Sequence, residues 1–236
     1  MTKNGLTHCS EDVGTTNLKE GYEGQFARYL ADILAHFRDN PDERLRIDFD
    51  WVSPVNEPQW DWNSDSQEGN RASNAEIKAI IHPLYEELRE RGLDTNILVL
   101  ESGSMLGMST IVPKFVNEGY GEPRGDYWDE FAGDPAVNEK LGKVLCCHAY
   151  GFDLVPGLLL PQRRHFLKTF EKYPDWRYWM TEYCILQGAD GQGGGGRDLT
   201  MKTALEVARV IHCDLTICNA SAWQWWLAVS KYNFKD

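Results

Sequence analysis

The chain has 236 residues, 42% of them hydrophobic, and a formal net charge of −12. That is enough apolar material for a sizeable core. The acidic balance argues against a nucleic-acid surface, which needs clustered Lys and Arg, disfavours polyanionic substrates, and leaves a neutral ligand as the best fit. No apolar run approaches the ~20 residues of a membrane span, and the opening MTKNGLTHCS lacks the apolar stretch of a signal peptide.

In chain order, Leu18, Tyr22, Phe26, Leu30, Ile33, Leu34 and Phe37 recur at three- and four-residue steps, which predicts a helix over 18–38. LRIDFDWVSPV alternates and predicts a strand over 45–55, with Ile47, Phe49 and Trp51 on one face. SNAE, from Ser73 to Glu76, is a capping box that opens a second helix. Its stripe is Ile77, Ile80, Ile81, Leu84 and Leu88, Gly92 is its stop, and Pro83 should kink or break it. NILVLES is a short buried strand, and 102–140 reads as irregular with short helices at most. KVLCCHAYG is a strand, PQRRHFLKTFEKY a helix with Phe166, Leu167, Phe170 and Tyr173 inward, and RYWMTEYCIL a strand. GADGQGGGGRD is a flexible loop without the G-K-[ST] of a phosphate loop. A helix over 198–217 carries Met201, Leu205, Ala208, Ile211 and Leu215, and ASAWQWWLAVS is the last strand. Strands alternating with helices mean a parallel sheet covered by helices, so the fold class is α/β, with five strands and no second domain.

In such sheets the working groups sit at the C-terminal strand ends. Two carboxylates hold such places. Glu57 lies in WVSPVNEPQWDW, between Pro54 and Pro58 and among Trp51, Trp60 and Trp62; Glu182 lies near the end of RYWMTEY. A pair of acids facing one pocket is the equipment of glycoside hydrolysis, one protonating the leaving oxygen and the other attacking or activating water. Two unrelated exposed glutamates would be commoner on charge alone, but aromatic, Pro and Asn neighbours argue against that here. Asn56 could bond a sugar 2-hydroxyl, and Trp60 and Trp62 could stack on a pyranose or pack the loop. Tyr150 could hydrogen-bond the nucleophile, and His148 could serve the site or be a satisfied core histidine. Glu101 ends NILVLES and could bind substrate or make an inward structural salt link. The six cysteines form no C-x-x-C pair, and the six histidines show no H-E-x-x-H spacing, so neither a disulfide framework, a zinc site nor a catalytic metal is expected.

SPVNEPQWDW with YWMTEY downstream resembles glycoside hydrolase family 30, in its endo-β-1,6-galactanase-like branch. The resemblance runs from about Asn4 to the end of the chain. It implies a (β/α)8 barrel of which this chain carries about strands 4 to 8 with the intervening helices, as one incomplete catalytic domain over 1–236. It implies Glu57 as acid/base after Asn56, Glu182 as nucleophile, His148 and Tyr150 of CCHAYG lining the sugar site, and Trp223 or Trp225 of SAWQWW as its floor. The reaction is then retaining hydrolysis, by double displacement, of a neutral β-linked glycan, with an oligo- or polysaccharide as the partner and no cofactor. β-1,6-Galactan is the first substrate choice; β-1,6-glucan, xylan and glucosylceramide are alternatives, as is an inactive sugar-binding fragment. By the same resemblance the first three strands should precede Met1 and a small β-sandwich should follow Asp236, in a secreted or periplasmic parent enzyme.

Overall fold

The computed structural model describes residues 18–60, 62, 69–109, 123–151, 153, 155, 157–185, 200–226 and 228–229. Cys9 and the glycine-rich stretch 188–198 lie outside them. Among the described residues there are five strands: β1 (Trp51–Val52), β2 (Asn96–Ser102), β3 (Leu141–His148), β4 (Arg177–Glu182) and β5 (Ala220–Trp223). All neighbours pair in parallel, in the spatial order β1-β2-β3-β4-β5. The helices are α1 (Glu23–Arg38), α2 (Asn74–Glu90), the one-turn α3 (Pro135–Asn138), α4 (Leu159–Phe170) and α5 (Met201–Thr216). Sequential parallel order requires each crossover to turn the same way, so the helices collect on one face.

The two faces of the sheet are chemically distinct. Towards the helices, Ile97, Val99, Leu145, Cys147, Tyr178 and Met180 join one large core with the apolar faces of α1, α2 and α4. On the other face Leu98, Val144 and Cys146 form a small cluster with Trp51 and Trp179, whose rings meet edge-on at 4.9 Å. Gly142 makes room there, since a Cβ on it would fall 2.2 Å from the Trp51 ring.

α2 follows its sequence closely. Ser73 and Glu76 form the capping box, and the five predicted stripe residues are buried. Gly92, at φ +62°, ends it: its N–H bonds the Arg89 carbonyl and Leu93 bonds that of Leu88, a Schellman motif. The break expected at Pro83 does not occur; the helix is continuous through it.

Three other expectations need correction. The first strand is two residues long, because the chain bends at Asp50 and pairing starts only where Asn96 N–H reaches the Asp50 carbonyl. Phe49 therefore packs on Phe37 among the helices while Trp51 faces Trp179 on the opposite side, and Ile47 is exposed. α1 begins at Glu23 and buries the small residues Ala27 and Ala31 with Leu34, leaving Tyr22 and Ile33 at the surface. α5 is rotated from its expected stripe: Val210, Cys213 and Asp214 face inward, while Met201, Leu205 and Leu215 are exposed.

The rotation of α5 has a visible cause. Asp214 accepts from Arg163 Nε of α4 at 2.9 Å and from the Trp223 indole N–H at 3.1 Å. Both charged side chains are fully buried. An ion pair removed from water must stay matched, and a helix that supplies one partner turns to face the other. Asp214→Ala should therefore destabilise the protein by about 3–5 kcal/mol in urea unfolding, because Arg163 is left as an uncompensated buried charge. A loss under about 1 kcal/mol, the range of a surface pair, would show that water reaches this bridge.

Candidate active site

The C-terminal ends of β1 to β4 meet on one edge of the sheet. There Ser53, Pro54, Val55, Asn56, Glu101, His148, Thr181 and Glu182 line an open cavity of about 390 Å³. A second cavity, of about 280 Å³ and lined by Leu18, Glu23, Arg71 and Ile80 among others, belongs to α1 and α2 rather than to the strand ends.

Register does much of the placement. His148 and Glu182 are paired across β3 and β4, and Ala149 N–H donates to the Glu182 carbonyl at 3.3 Å. Glu57, in the loop after β1, donates its N–H to the Glu101 carbonyl at 2.8 Å. Both Glu57 (φ +46°) and Glu101 (φ +54°) adopt the left-handed backbone region. Strain of this kind, about 1–3 kcal/mol per residue, persists where the surroundings over-determine a side chain's direction, and it gathers at functional sites.

The side chains then converge on one ring. His148 is 1% exposed. Its Nδ1 lies 2.7 Å from Glu57 Oε1 and 3.8 Å from Glu182 Oε1, and its Nε2 lies 3.4 Å from Glu101 Oε2. Burial alone would lower the imidazole pKa, but Glu101 and Glu57 together with the Glu182 charge raise it to about 9. Glu182 is pushed above the usual carboxylate range, first by burial and then by the charges of Glu57 and Glu101, with His148 and Tyr150 acting against the rise. Tyr150 donates its O–H to Glu182 Oε1 at 3.1 Å. Its own pKa is pushed up, chiefly by burial, so the phenol keeps the proton it donates.

Glu57, His148 and Glu182 each bring one ligand atom within 4.8 Å of the other two. A divalent cation could contact this set, but His148 Nδ1 already pairs with Glu57 Oε1, so the group is satisfied as a hydrogen-bonded acid–imidazole cluster. Elsewhere among the described residues the five cysteines Cys146, Cys147, Cys184, Cys213 and Cys218 are buried and free.

The remaining residues singled out in the sequence fall into two groups. Asn56 is exposed and lines the cavity. The Trp60 indole Nε1 lies beside Glu57, both close to the point where Gly103 would carry a Cβ. Trp62, in contrast, donates its indole N–H to the Glu57 carbonyl at 3.0 Å, and its ring lies against Gly69, so it braces the loop that carries Glu57. Trp223 turns towards the helices, bonding Asp214 and meeting the Tyr183 ring edge-on. Trp225 stacks on Trp223 at 6.2 Å and is half exposed. Two contributors were missed in the sequence. Thr181 donates to Glu101 Oε2. Gly103 allows the loops to close, and a Gly directly after a strand-end Glu-Ser was the available signal of close approach.

A model of O-glycosyl hydrolase family 30 matches residues 1–236. The chain belongs to glycoside hydrolase family 30. Among solved structures, this family 30 chain is similar to a conserved exported protein from Bacteroides fragilis, at 28% identity and a TM-score of 0.74, covering 90% of this chain and 43% of that one. It is also similar to a family 30 endoxylanase from Clostridium papyrosolvens, at 17% identity and TM-score 0.59, covering 90% and 42%. A further match is an endo-β1,6-glucanase, at 20% identity and TM-score 0.57, covering 89% and 39%. The last two likenesses show the shared fold, and the five-stranded arc is accordingly part of a (β/α)8 barrel. The chain spans about two-fifths of the length of each. No curated protein matches it significantly.

Gly103 supplies a direct structural test. A Cβ there would fall 2.3 Å from Trp60 Nε1 and 2.8 Å from Glu57 Cδ. Gly103→Ala is expected to cost about 1–3 kcal/mol, as overpacking does, and a crystal structure of the variant should show Glu57 displaced from His148. An unmoved Glu57 with unchanged stability would mean that the loop is looser than this packing.

Proposed function

We propose that this site hydrolyses a neutral β-linked glycan with retention of configuration, Glu57 serving as acid/base and Glu182 as nucleophile. The observation that carries the reading is the approach of the two carboxylates, with an oxygen of each inside the 4.8 Å cluster. Retaining glycosidases hold their acids about 5–5.5 Å apart; inverting ones need about 6.5–9.5 Å to admit a water. The close approach therefore supports double displacement.

The surroundings support the division of roles. Burial and the neighbouring carboxylates raise Glu182, and the His148 charge and the Tyr150 hydroxyl act against that rise, favouring the ionised form that must attack carbon. Glu57 stands against the imidazole of His148, a partner suited to a group that gives up a proton and takes it back. In the first step Glu57 protonates the leaving oxygen as a Glu182 oxygen bonds the anomeric carbon. In the second, Glu57 takes a proton from water as water replaces Glu182. Asn56, which lines the cavity, would meet a sugar hydroxyl in this reading. Trp60 keeps a platform role in this reading, while Trp62 acts through the loop. β-1,6-Galactan is the proposed substrate, on the strength of the SPVNEPQWDW and YWMTEY resemblance.

The roles separate kinetically. Glu182→Ala should abolish turnover of both β-1,6-galacto-oligosaccharides and activated aryl β-galactosides. Glu57→Ala should lose about 10²–10⁴-fold on the oligosaccharides and far less on aryl glycosides, whose leaving groups need little protonation. Azide should restore part of the Glu57→Ala turnover by replacing water in the second step. Equal losses on the two substrate types without an azide effect would overturn the assignment of Glu57. Activity confined to xylan or β-1,6-glucan would overturn the galactan reading and leave the carboxylate roles standing.

A further inference from the structure

Glu101 lines this cavity with Glu182, and the roles above do not use it. Its contacts are unusually central. Its carbonyl accepts the Glu57 N–H at 2.8 Å. Its own N–H donates to Cys146 Sγ at 3.2 Å. Its Oε2 accepts from Thr181, the residue before Glu182, and faces His148 Nε2 at 3.4 Å. One residue thus touches the backbone under the acid/base, the residue beside the nucleophile, and the ring between them.

The ring itself sets the chemistry. A neutral imidazole has one N–H donor and one acceptor, and an ionised carboxylate can only accept. Here both ring nitrogens face carboxylate oxygens, Nδ1 towards Glu57 and Glu182 and Nε2 towards Glu101. Once Glu57 has given its proton to the leaving group and all three carboxylates are ionised, only the imidazolium can donate in both directions at once. Among the described residues, the titratable groups facing this ring are Glu57 from the loop after β1, Glu101 of β2, Glu182 of β4 and the Tyr150 phenol, whose ring meets it edge-on at 5.9 Å.

We propose that Glu101 is a positioning residue that holds His148 as an imidazolium, so that Nδ1–H stays aimed at Glu57 and its positive charge stabilises the carboxylate that Glu57 becomes on protonating the leaving group. This deepens the glycosidase reading and rests on it for the catalytic consequence only; the pairing of Glu101 with His148 stands on the geometry. The balance of charge agrees. A ring buried this deeply would lose its proton near neutrality if left alone, and Glu101 heads the interactions that raise it to about 9. Thr181 bonds the same Oε2 that faces the ring, which holds the Glu101 carboxylate towards His148.

The test is Glu101→Gln, which keeps the size and an oxygen acceptor for Thr181 but removes the charge. The ring nitrogens of His148 are followed by NMR across a pH titration of 15N-histidine-labelled protein, wild type and variant. Wild type should titrate near 9, the value the geometry supports. Glu101→Gln should titrate about 1–3 units lower, the shift expected for loss of an opposite charge at this range. Because the working form is the cation, activity is also lost as pH rises through this midpoint, so the alkaline limb of kcat/KM, set by whichever of the Glu57 acid and the His148 cation loses its proton first, should move to lower pH in the variant. Glu101→Asp, which retains the charge, should restore most of the wild-type limb. A merely structural Glu101 would lower stability and leave the His148 midpoint where it was, and that result overturns the proposal. A wild-type midpoint at or below the ordinary 6.5 overturns it as well, without reliance on any variant. A shifted midpoint with an unmoved alkaline limb overturns the catalytic consequence. If the midpoint shifts but no glycan is hydrolysed by either protein, the pairing holds and the glycosidase reading fails.

Discussion

A buried imidazole can meet three carboxylates only if the segments that carry them end at the same place. Parallel pairing in sequential order supplies that condition. β1 to β4 all point their C-terminal ends to one edge, and the register sets His148 level with Glu182. The Glu101 carbonyl then ties in the loop after β1 through the Glu57 N–H. Once those bonds are made, the like charges of Glu57, Glu101 and Glu182 are forced together, and the ring at their centre is what makes the arrangement tolerable. The raised pKa of His148 follows from that constraint, and that of Glu182 from burial first and then from the same neighbouring charges.

The layers behind the site keep this edge in order. A loop that holds Glu57 and a strand end that holds Glu101 at positive φ need rigid supports, and the supports are specific. Trp62 hydrogen-bonds the Glu57 carbonyl, Gly103 leaves no side chain to push Glu57 away, and Trp223 is pinned by the buried Asp214–Arg163 pair. Two tryptophans, Trp62 and Trp223, therefore act as braces whose N–H groups find a loop acceptor and a buried one.

Much of this was legible in the sequence, where local chemistry decides the outcome. The α2 capping box, the stripe from Ile77 to Leu88 and the Gly92 stop depend on neighbours three or four residues away, and they fold as read. The buried strands β2 and β3 announce themselves as short apolar runs. The strand-end glutamates were visible because carboxylates among Trp, Pro and Tyr are out of place on a solvated loop. Long-range effects were not legible. Periodicity placed Leu205 and Leu215 inward on α5, but Arg163 of α4, far away in sequence, turned the helix so that Asp214 faces inward instead. Alternation read 45–55 as one strand, but the bend at Asp50 belongs to pairing with Asn96. Which tryptophan faces a ligand and which faces a helix depends on strand register, and SAWQWW alone does not specify it.

The central claim is that Glu57 and Glu182 divide a retaining hydrolysis between them. The most direct test is to trap the intermediate. An activated 2-deoxy-2-fluoro-β-galactoside should form a glycosyl-enzyme that is slow to hydrolyse, since the fluorine destabilises the oxocarbenium-like transition states of both steps. Intact-protein mass spectrometry should then show one added glycosyl unit, and peptide mapping should place it on Glu182. Label on Glu57 or another side chain, or hydrolysis of the glycan with inverted anomeric configuration and no adduct, would contradict the account.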